Sequence, residues 1–386
     1  MSTVITPIRG PLRAIAATRA RRGYDWILIG AAFTLCLIGA VLVFSATRGR
    51  LADLGENPQT YLAKHLLNTA LGAVLLGGAS RLDSRLLRLF GPLMYVASLL
   101  GLLAVFAIGS TINGAHAWIV IGGGFEIQPA EFAKLGLIVA LAVLFAQRRP
   151  IGRPTLSDLS VALLLAVIPL AMIMLQPDLG SALVLCAITF GILLAAGVPA
   201  RWMIALAVVA VIAVTVAVKG GVLAEYQLAR FAAFTNPNAD PQGVAYNITQ
   251  AHIAIAHGGW FGQGLFHGAQ TNGAFVPEQQ TDFVFSVAGE ELGFLGSLII
   301  IGLFGVILWR GLRIAAAARG ASRLVAVGVV SWIGFQTFQN IGMNLGLTPV
   351  TGLPLPFVSY GGSSMFAQGL AIGLLLAIHR HSQRTD

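Results

Sequence analysis

Charge is what this chain has least of. Asp, Glu, Lys and Arg together make up 10 % of its 386 residues, where a soluble globular domain carries about a quarter. That scarcity excludes a water-facing surface over most of the chain. Cysteine is nearly absent as well. Cys36 and Cys186 are the two, each inside a different apolar run, so a disulfide framework is excluded and no Cys-x-x-Cys spacing offers a structural metal site. His252, His257 and His267 share one segment, but their spacing fits no compact metal site. Acids are scarcer than bases, 15 against 24.

What fills the space is hydrophobic: 56 % of the residues, with a mean hydropathy of +0.82. Apolar runs of about 17–25 residues, the span of a bilayer helix, recur along nearly the whole sequence. Ten are predicted, over 26–46, 62–80, 87–109, 130–147, 159–176, 180–198, 202–219, 283–309, 324–345 and 364–379. The fold class expected is an all-α polytopic membrane protein of about ten transmembrane helices. Residues 1–24 read as a basic cytoplasmic tail, 25–380 as one integral domain and 381–386 as a short tail. A long outer loop, 220–282, separates spans seven and eight.

The basic residues orient the chain. With both termini cytoplasmic, all but six of the 24 Lys and Arg residues fall inside; the six are Arg48, Arg50, Lys64, Lys134, Lys219 and Arg230. The net charge of +9 therefore reflects topology, and it gives no argument for nucleic acid.

Against so apolar a background, the few ionisable residues near membrane depth are functional candidates. Phe275 to Gly293 holds four acids, Glu278, Asp282, Glu290 and Glu291. Asp282 has two readings: a helix N-cap, or a functional carboxylate at the outer end of span eight. Glu131 and Lys134 stand at i, i+3 on span four. They form either a structural ion pair or an anion site in which Lys134 meets a phosphate. Asp178, in Gln176-Pro-Asp-Leu-Gly180, is explained by capping span six. Gln336, Gln339, Asn340 and Asn344 line one face of span nine, as interhelical hydrogen-bond glue or as the lining for a polar headgroup. Segment 110–129 is too apolar for a free loop and too rich in glycine for a helix; its Trp118 belongs to an interfacial aromatic belt or to the wall of a site. In the long loop, Ile248, Ala251, His252 and Ile255 share a helical face, as an interfacial amphipathic helix would.

Six motifs stand in order on this pattern: Trp118; Gln128-Pro-Ala-Glu-Phe-Ala-Lys134; Gln176-Pro-Asp-Leu-Gly-Ser181; Asp240-Pro-Gln-Gly-Val-Ala-Tyr-Asn247; Pro277-Glu-Gln-Gln-Thr-Asp-Phe283; and Pro349-Val-Thr-Gly-Leu-Pro-Leu-Pro-Phe-Val-Ser-Tyr-Gly-Gly-Ser363. Together they resemble the SEDS family of bacterial cell-wall polymerases, the group containing RodA, FtsW and SpoVE, over about the whole chain. The short tails and Asn340-Ile-Gly-Met-Asn344 are most similar to RodA. The resemblance implies a peptidoglycan glycosyltransferase that polymerises lipid II at the outer face of the bacterial cytoplasmic membrane. It also implies a class B penicillin-binding protein as partner, with lipid II and the growing lipid-linked glycan as substrates. It places the essential aspartate on Asp282 and the family's functional Glu, Lys and Trp on Glu131, Lys134 and Trp118. The remaining binding candidates are Arg48, Lys64, Arg230, Glu278, Asn344, Ser359 and Ser363. Ala117 stands where the family commonly has an arginine, so pyrophosphate would fall to another outer cation (Arg48, Lys64 or Arg230) or to a divalent metal ion. No cofactor is otherwise implied. A lipid II flippase and a division-specific polymerase are the competing readings.

Overall fold

The computed structural model describes residues 23–112, 115–122, 125–148, 152–219, 230, 234 and 244–383. Most of the basic tail 1–24, most of the loop 220–243, including the Asp240-Pro-Gln-Gly243 stretch, and residues 384–386 lie outside the described residues.

The architecture is a helical bundle. Its long helices are α1 (Trp26–Asp53), α2 (Thr60–Ala79), α3 (Ser84–Ile108), α4 (Pro129–Arg148), α5 (Leu156–Leu175), α6 (Leu179–Ala195) and α7 (Ala200–Lys219). After these come α8 (Val244–Gly258), the single turn α9 (Ala269–Asn272), α10 (Val284–Ala317), α11 (Gly320–Asn344) and α12 (Gly362–Ser382). Among the described residues, eight helices are long and apolar enough to cross a membrane, and two apolar ones, in α6 and α7, are shorter. The helical membrane class read from composition is the class observed. Segment 110–129 forms its one sheet among the described residues: three antiparallel strands, β1 (Ser110–Ile112), β2 (Ala115–Gly122) and β3 (Phe125–Ile127). Here backbone groups that the glycines keep out of a helix pair with one another.

Helix α4 is the hub. It packs against α3, α5, α6, α11 and α12, and nearly all its side chains are buried, from Pro129 to Phe145. The lipid side is carried by outward-facing residues of the surrounding helices, such as Phe33, Leu93, Leu164 and Ile299.

Helix α10 is longer than it looks useful for. Thirty-four residues would measure about 51 Å, against a hydrocarbon core of about 30 Å. The helix breaks at Gly293, whose φ of 68° and ψ of −164° are not helical. The groups this break frees are satisfied by the loop after α8. Gln263 and Gly264 donate to the carbonyls of Glu290 and Glu291, while Phe294 and Leu295 donate to Gly259 and Trp260. A Cβ at position 293 would sit 2.3 Å from the Gly262 nitrogen, so only glycine fits. The part beyond the break is of membrane-spanning length. The part before it packs with α8, where Ile248 and Ala251 meet Val276, Phe283, Met343 and Val350 in a small second core.

Candidate active site

Five helices begin at the sheet-bearing end of the bundle, and the residues at their starts enclose a cavity of about 490 Å³. Tyr61, Lys64 and Asn68 reach it from α2. Gln128 precedes α4, Asp178 precedes α6, Glu278 to Asp282 precede α10, and Gly361 to Ser364 open α12. Arg50, Trp118, Glu126, Arg230, Thr351 and Pro354 also stand in the wall.

Asp282 is held through its backbone. Glu278 adopts a left-handed conformation, φ 51°, and its carbonyl accepts from the amides of Thr281, Asp282 and Phe283. The carbonyls of Gln280, Thr281 and Asp282 each meet a donor from the C-terminal part of the chain. Gln280 O accepts from Tyr360 N at 2.9 Å, and Thr281 O from Ser359 Oγ at 2.5 Å. Asp282 O accepts from Asn340 Nδ2 at 2.8 Å and Asn344 Nδ2 at 3.1 Å. Asn340 also donates to Leu353 O, and Asn344 Oδ1 accepts from Ser286 N in the first turn of α10. The polar stripe of α11 thus faces backbone, not the cavity, and the helix start is served by Asn344. Among the described residues no amide uses the Asp282 carboxylate as a cap.

That carboxylate opens on the cavity. Gly352, at φ 74°, borders both it and a cation: a Cβ there would lie 3.6 Å from both Asp282 Oδ2 and the Arg230 guanidinium. Burial, with the neighbouring Glu278 and Asp178 charges, pushes the Asp282 pKa up to about 7, opposed by Arg230. Loss of hydration disfavours the charged carboxylate, and nearby negative charge adds to it. Asp178 has two tasks. Oδ1 caps α6 at Ser181 N, and Oδ2 accepts from Gln128 Nε2 at 2.8 Å. Ser363 stitches β3 to α12, accepting from Gln128 N and donating to Glu126 O.

The sequence candidates divide. Asp282, Glu278, Arg230, Lys64, Trp118 and Ser363 line the cavity together. Glu131 and Lys134 do not: they lie inside the bundle, 1 % and 0 % exposed, 2.6 Å apart. Lys134 also donates to Gln336 Oε1 at 3.3 Å and stands 5.4 Å from the Trp332 ring. Gln336 in turn donates to Pro354 O, and Pro354 does line the cavity. Lys134 therefore reaches the site only through Gln336 and the loop before α12. Asn344 and Ser359 belong to the backbone clamp. Arg48 turns away to Phe266, donating to its carbonyl at 2.6 Å and lying over its ring. Glu290 and Glu291 also point elsewhere: Glu290 accepts from Gln270 N and Thr271, and Glu291 from Ser45. Ala117 is fully buried. Sequence reading missed Arg50, Asn68, Glu126, Gln128 and Thr351 as cavity residues. Among the described residues, no three His, Cys, Asp or Glu side chains form a group that could hold a metal ion.

The arrangement has one half-open acid with a pKa near neutrality, cations in the same wall, and room for a polar substrate. It suits proton abstraction from a hydroxyl beside a developing anion.

Comparison with known proteins agrees with this geometry. Residues 25–384 match the FtsW/RodA/SpoVE family model, described as a cell cycle protein. A probable peptidoglycan glycosyltransferase FtsW from Trichlorobacter lovleyi is 36 % identical over 92 % of this chain and 93 % of its own. The peptidoglycan glycosyltransferase MrdB of Escherichia coli is 34 % identical over 90 % and 91 %. A chain from a solved peptidoglycan synthase complex, described as coordinating polymerization and crosslinking, superimposes with a TM-score of 0.77 at 34 % identity, covering 93 % of this chain and 98 % of that one. With a matching family model over nearly its full length, full-length relatives and a shared fold, this chain belongs to the FtsW/RodA/SpoVE family.

Proposed function

We infer that the chain is a peptidoglycan glycosyltransferase that joins lipid II units into glycan strands at the outer face of the cytoplasmic membrane, with Asp282 as general base. The observation that carries this reading is the clamped, half-open Asp282 in a cavity also lined by Arg50, Lys64 and Arg230. An α-linked pyrophosphate donor gives a β-linked product by a single inversion. One carboxylate takes the acceptor proton as the hydroxyl oxygen attacks, and the bond to pyrophosphate breaks. The second carboxylic acid of an inverting glycosidase is not needed, because pyrophosphate leaves readily once its charge is met by cations.

The test is turnover. Purified protein with its class B penicillin-binding protein partner, lipid II and moenomycin should yield long glycan strands, and Asp282→Asn should yield none. No glycan from the wild-type complex, with transport of lipid II across vesicles instead, would make it a flippase. Both termini are placed in the cytoplasm, as the arginine distribution supports; a cysteine at Ser2, in a chain lacking the native pair, should resist an impermeant thiol reagent in whole cells. Within the family we assign the elongation role, supported by Asn340-Ile-Gly-Met-Asn344. Depletion should give rounded cells; filaments would assign it to division.

A further inference from the structure

Lys64 and Asn68 on α2 face the start of α12, and that start is bare. Gly361 precedes the helix and no side chain caps it. The first intrahelical bond of the segment runs from Met365 N to Gly361 O, so the amides of Gly362, Ser363 and Ser364 have no intrahelical acceptor. The neighbouring starts are served: Asp178 caps α6, and Asn344 takes an amide of α10. A bare N-terminus carries partial positive charge and attracts phosphate.

A second, independent observation sits beside it. Asn68 is 4 % exposed, lines the same cavity, and its Oδ1 has no hydrogen-bond partner. That oxygen lies 3.3 Å from where a Cβ on Gly362 would be, so any larger residue would crowd both. A buried acceptor left unmatched is costly, and here its side chain stands in the cavity wall.

The relation of the two helices fixes Lys64. Asn68 meets Gly362, Gly72 meets Met365 and Gly369, and Ala79 meets Gly373; α2 and α12 therefore run parallel in close contact. Lys64 is one turn before Asn68, about 6 Å along the axis, which puts it beyond the end of α12, over the bare amides.

Building on the glycosyltransferase reading, we propose that this corner binds a glycosyl phosphate: the α12 amides and Lys64 take the phosphate, and Asn68 Oδ1 accepts from an N–H or O–H of the sugar attached to it. On transfer, the sugar–phosphate bond breaks, its electron pair leaves on the phosphate oxygen, and the extra negative charge develops where the amides and Lys64 stand.

Equilibrium binding to purified protein tests this with two probes, undecaprenyl pyrophosphate, which has no sugar, and lipid II, both in an Asp282→Asn background that stops turnover. Lys64→Gln should weaken both by about tenfold or more. Asn68→Asp, an isostere that sets a carboxylate beside the phosphate, should also weaken both. Asn68→Ala should weaken lipid II by about three- to tenfold and leave undecaprenyl pyrophosphate within about twofold. Unchanged undecaprenyl pyrophosphate binding in Lys64→Gln overturns the phosphate assignment. Equal effects of Asn68→Ala on both probes, or none on either, overturn the sugar contact. If Asn68→Asp melts well below the parent, the exposed-side variant Lys64→Gln decides the phosphate question alone. Normal binding by the variants of a chain that does polymerise lipid II sinks only this cradle; a wild type that neither binds nor polymerises lipid II sinks the function reading.

Discussion

Two charged places in this bundle invite comparison. Glu131 and Lys134 are sealed inside α4, with one ion-pair contact, one amide neighbour and one aromatic ring between them. Asp282 sits at a helix start with its carboxylate open to a cavity and its backbone, rather than its side chain, fixed. The sealed pair is held by internal contacts, with only Glu131 Oε2 left without a hydrogen bond among the described residues, and it cannot reach a substrate without the bundle opening. The open acid faces the cavity beside Arg230 and has a rigid mount. Charge alone does not mark a reacting group in a membrane; charge on a rigid mount, next to accessible space, does.

The sharpest way to break that contrast is Asp282→Asn. The clamp holds position 282 by its carbonyl, so the variant should fold and lose about 10²–10⁴-fold in polymerisation. Asp282→Glu, displacing the carboxylate by about one bond, should also fail badly, because geometry dominates. A helix cap would tolerate Asn with almost no loss; wild-type glycan from that variant would return Asp282 to a structural role.

Lys134→Ala should act on stability first. It strands Glu131 in the core, at a cost of about 3–5 kcal/mol, read as a large drop in melting temperature in detergent. Glu131→Gln combined with Lys134→Met should recover much of that loss. Because Lys134 supports Gln336 and the loop at Pro354, the double variant should recover folding more fully than polymerisation. Full activity would reduce the pair to packing.

Acidity separates the two places more finely. A base with a pKa of about 7 must lose its proton to work, so polymerisation should rise with pH about a midpoint near 7 and level off above. Arg230 lowers that pKa and Glu278 raises it; Arg230→Gln should move the midpoint up and Glu278→Gln should move it down. A flat rate across this range removes Asp282 as the titrating base. The stability sign is opposite. The folded state holds this proton to higher pH than the unfolded chain, so stability falls as pH rises from the ordinary carboxylate value of 3.8 toward about 7. Asp282→Asn escapes that loss and should melt above wild type at pH 8.

The smallest effect belongs to Asp178. Asp178→Ala removes the α6 cap, for about 1 kcal/mol, whereas Asp178→Asn keeps a capping oxygen and should melt close to wild type.

Much of this was legible in the chain. The apolar runs fell on the long helices because bilayer thickness imposes their length. Asp282 stood out because acids are so few, and Gln336, Gln339, Asn340 and Asn344 were grouped by their 3.6-residue period. The period could not say what they would bond; each spends an amide N–H on a backbone carbonyl, of the loop before α12 or of Asp282. Arg50 read as an outer-loop charge and Glu126 was not singled out within segment 110–129, since nothing local tells a cavity wall from a solvated turn. Asn68 lies inside the second apolar run, where nothing local explains a polar side chain. Its place depends on α2 lying parallel to α12, a contact made by residues almost three hundred positions apart in sequence.

The clamp on Asp282 has a consequence for biogenesis. Its donors are Asn340, Asn344, Ser359 and Tyr360, all made after the residue they hold. As the chain emerges and inserts in order, helices α1 to α10 can be made with the acid present and still unaimed. Only insertion of α11 and the loop leading to α12 completes the mount. The enzyme is thus switched on by the end of its own synthesis, and a nascent chain stalled short of that point cannot start a strand.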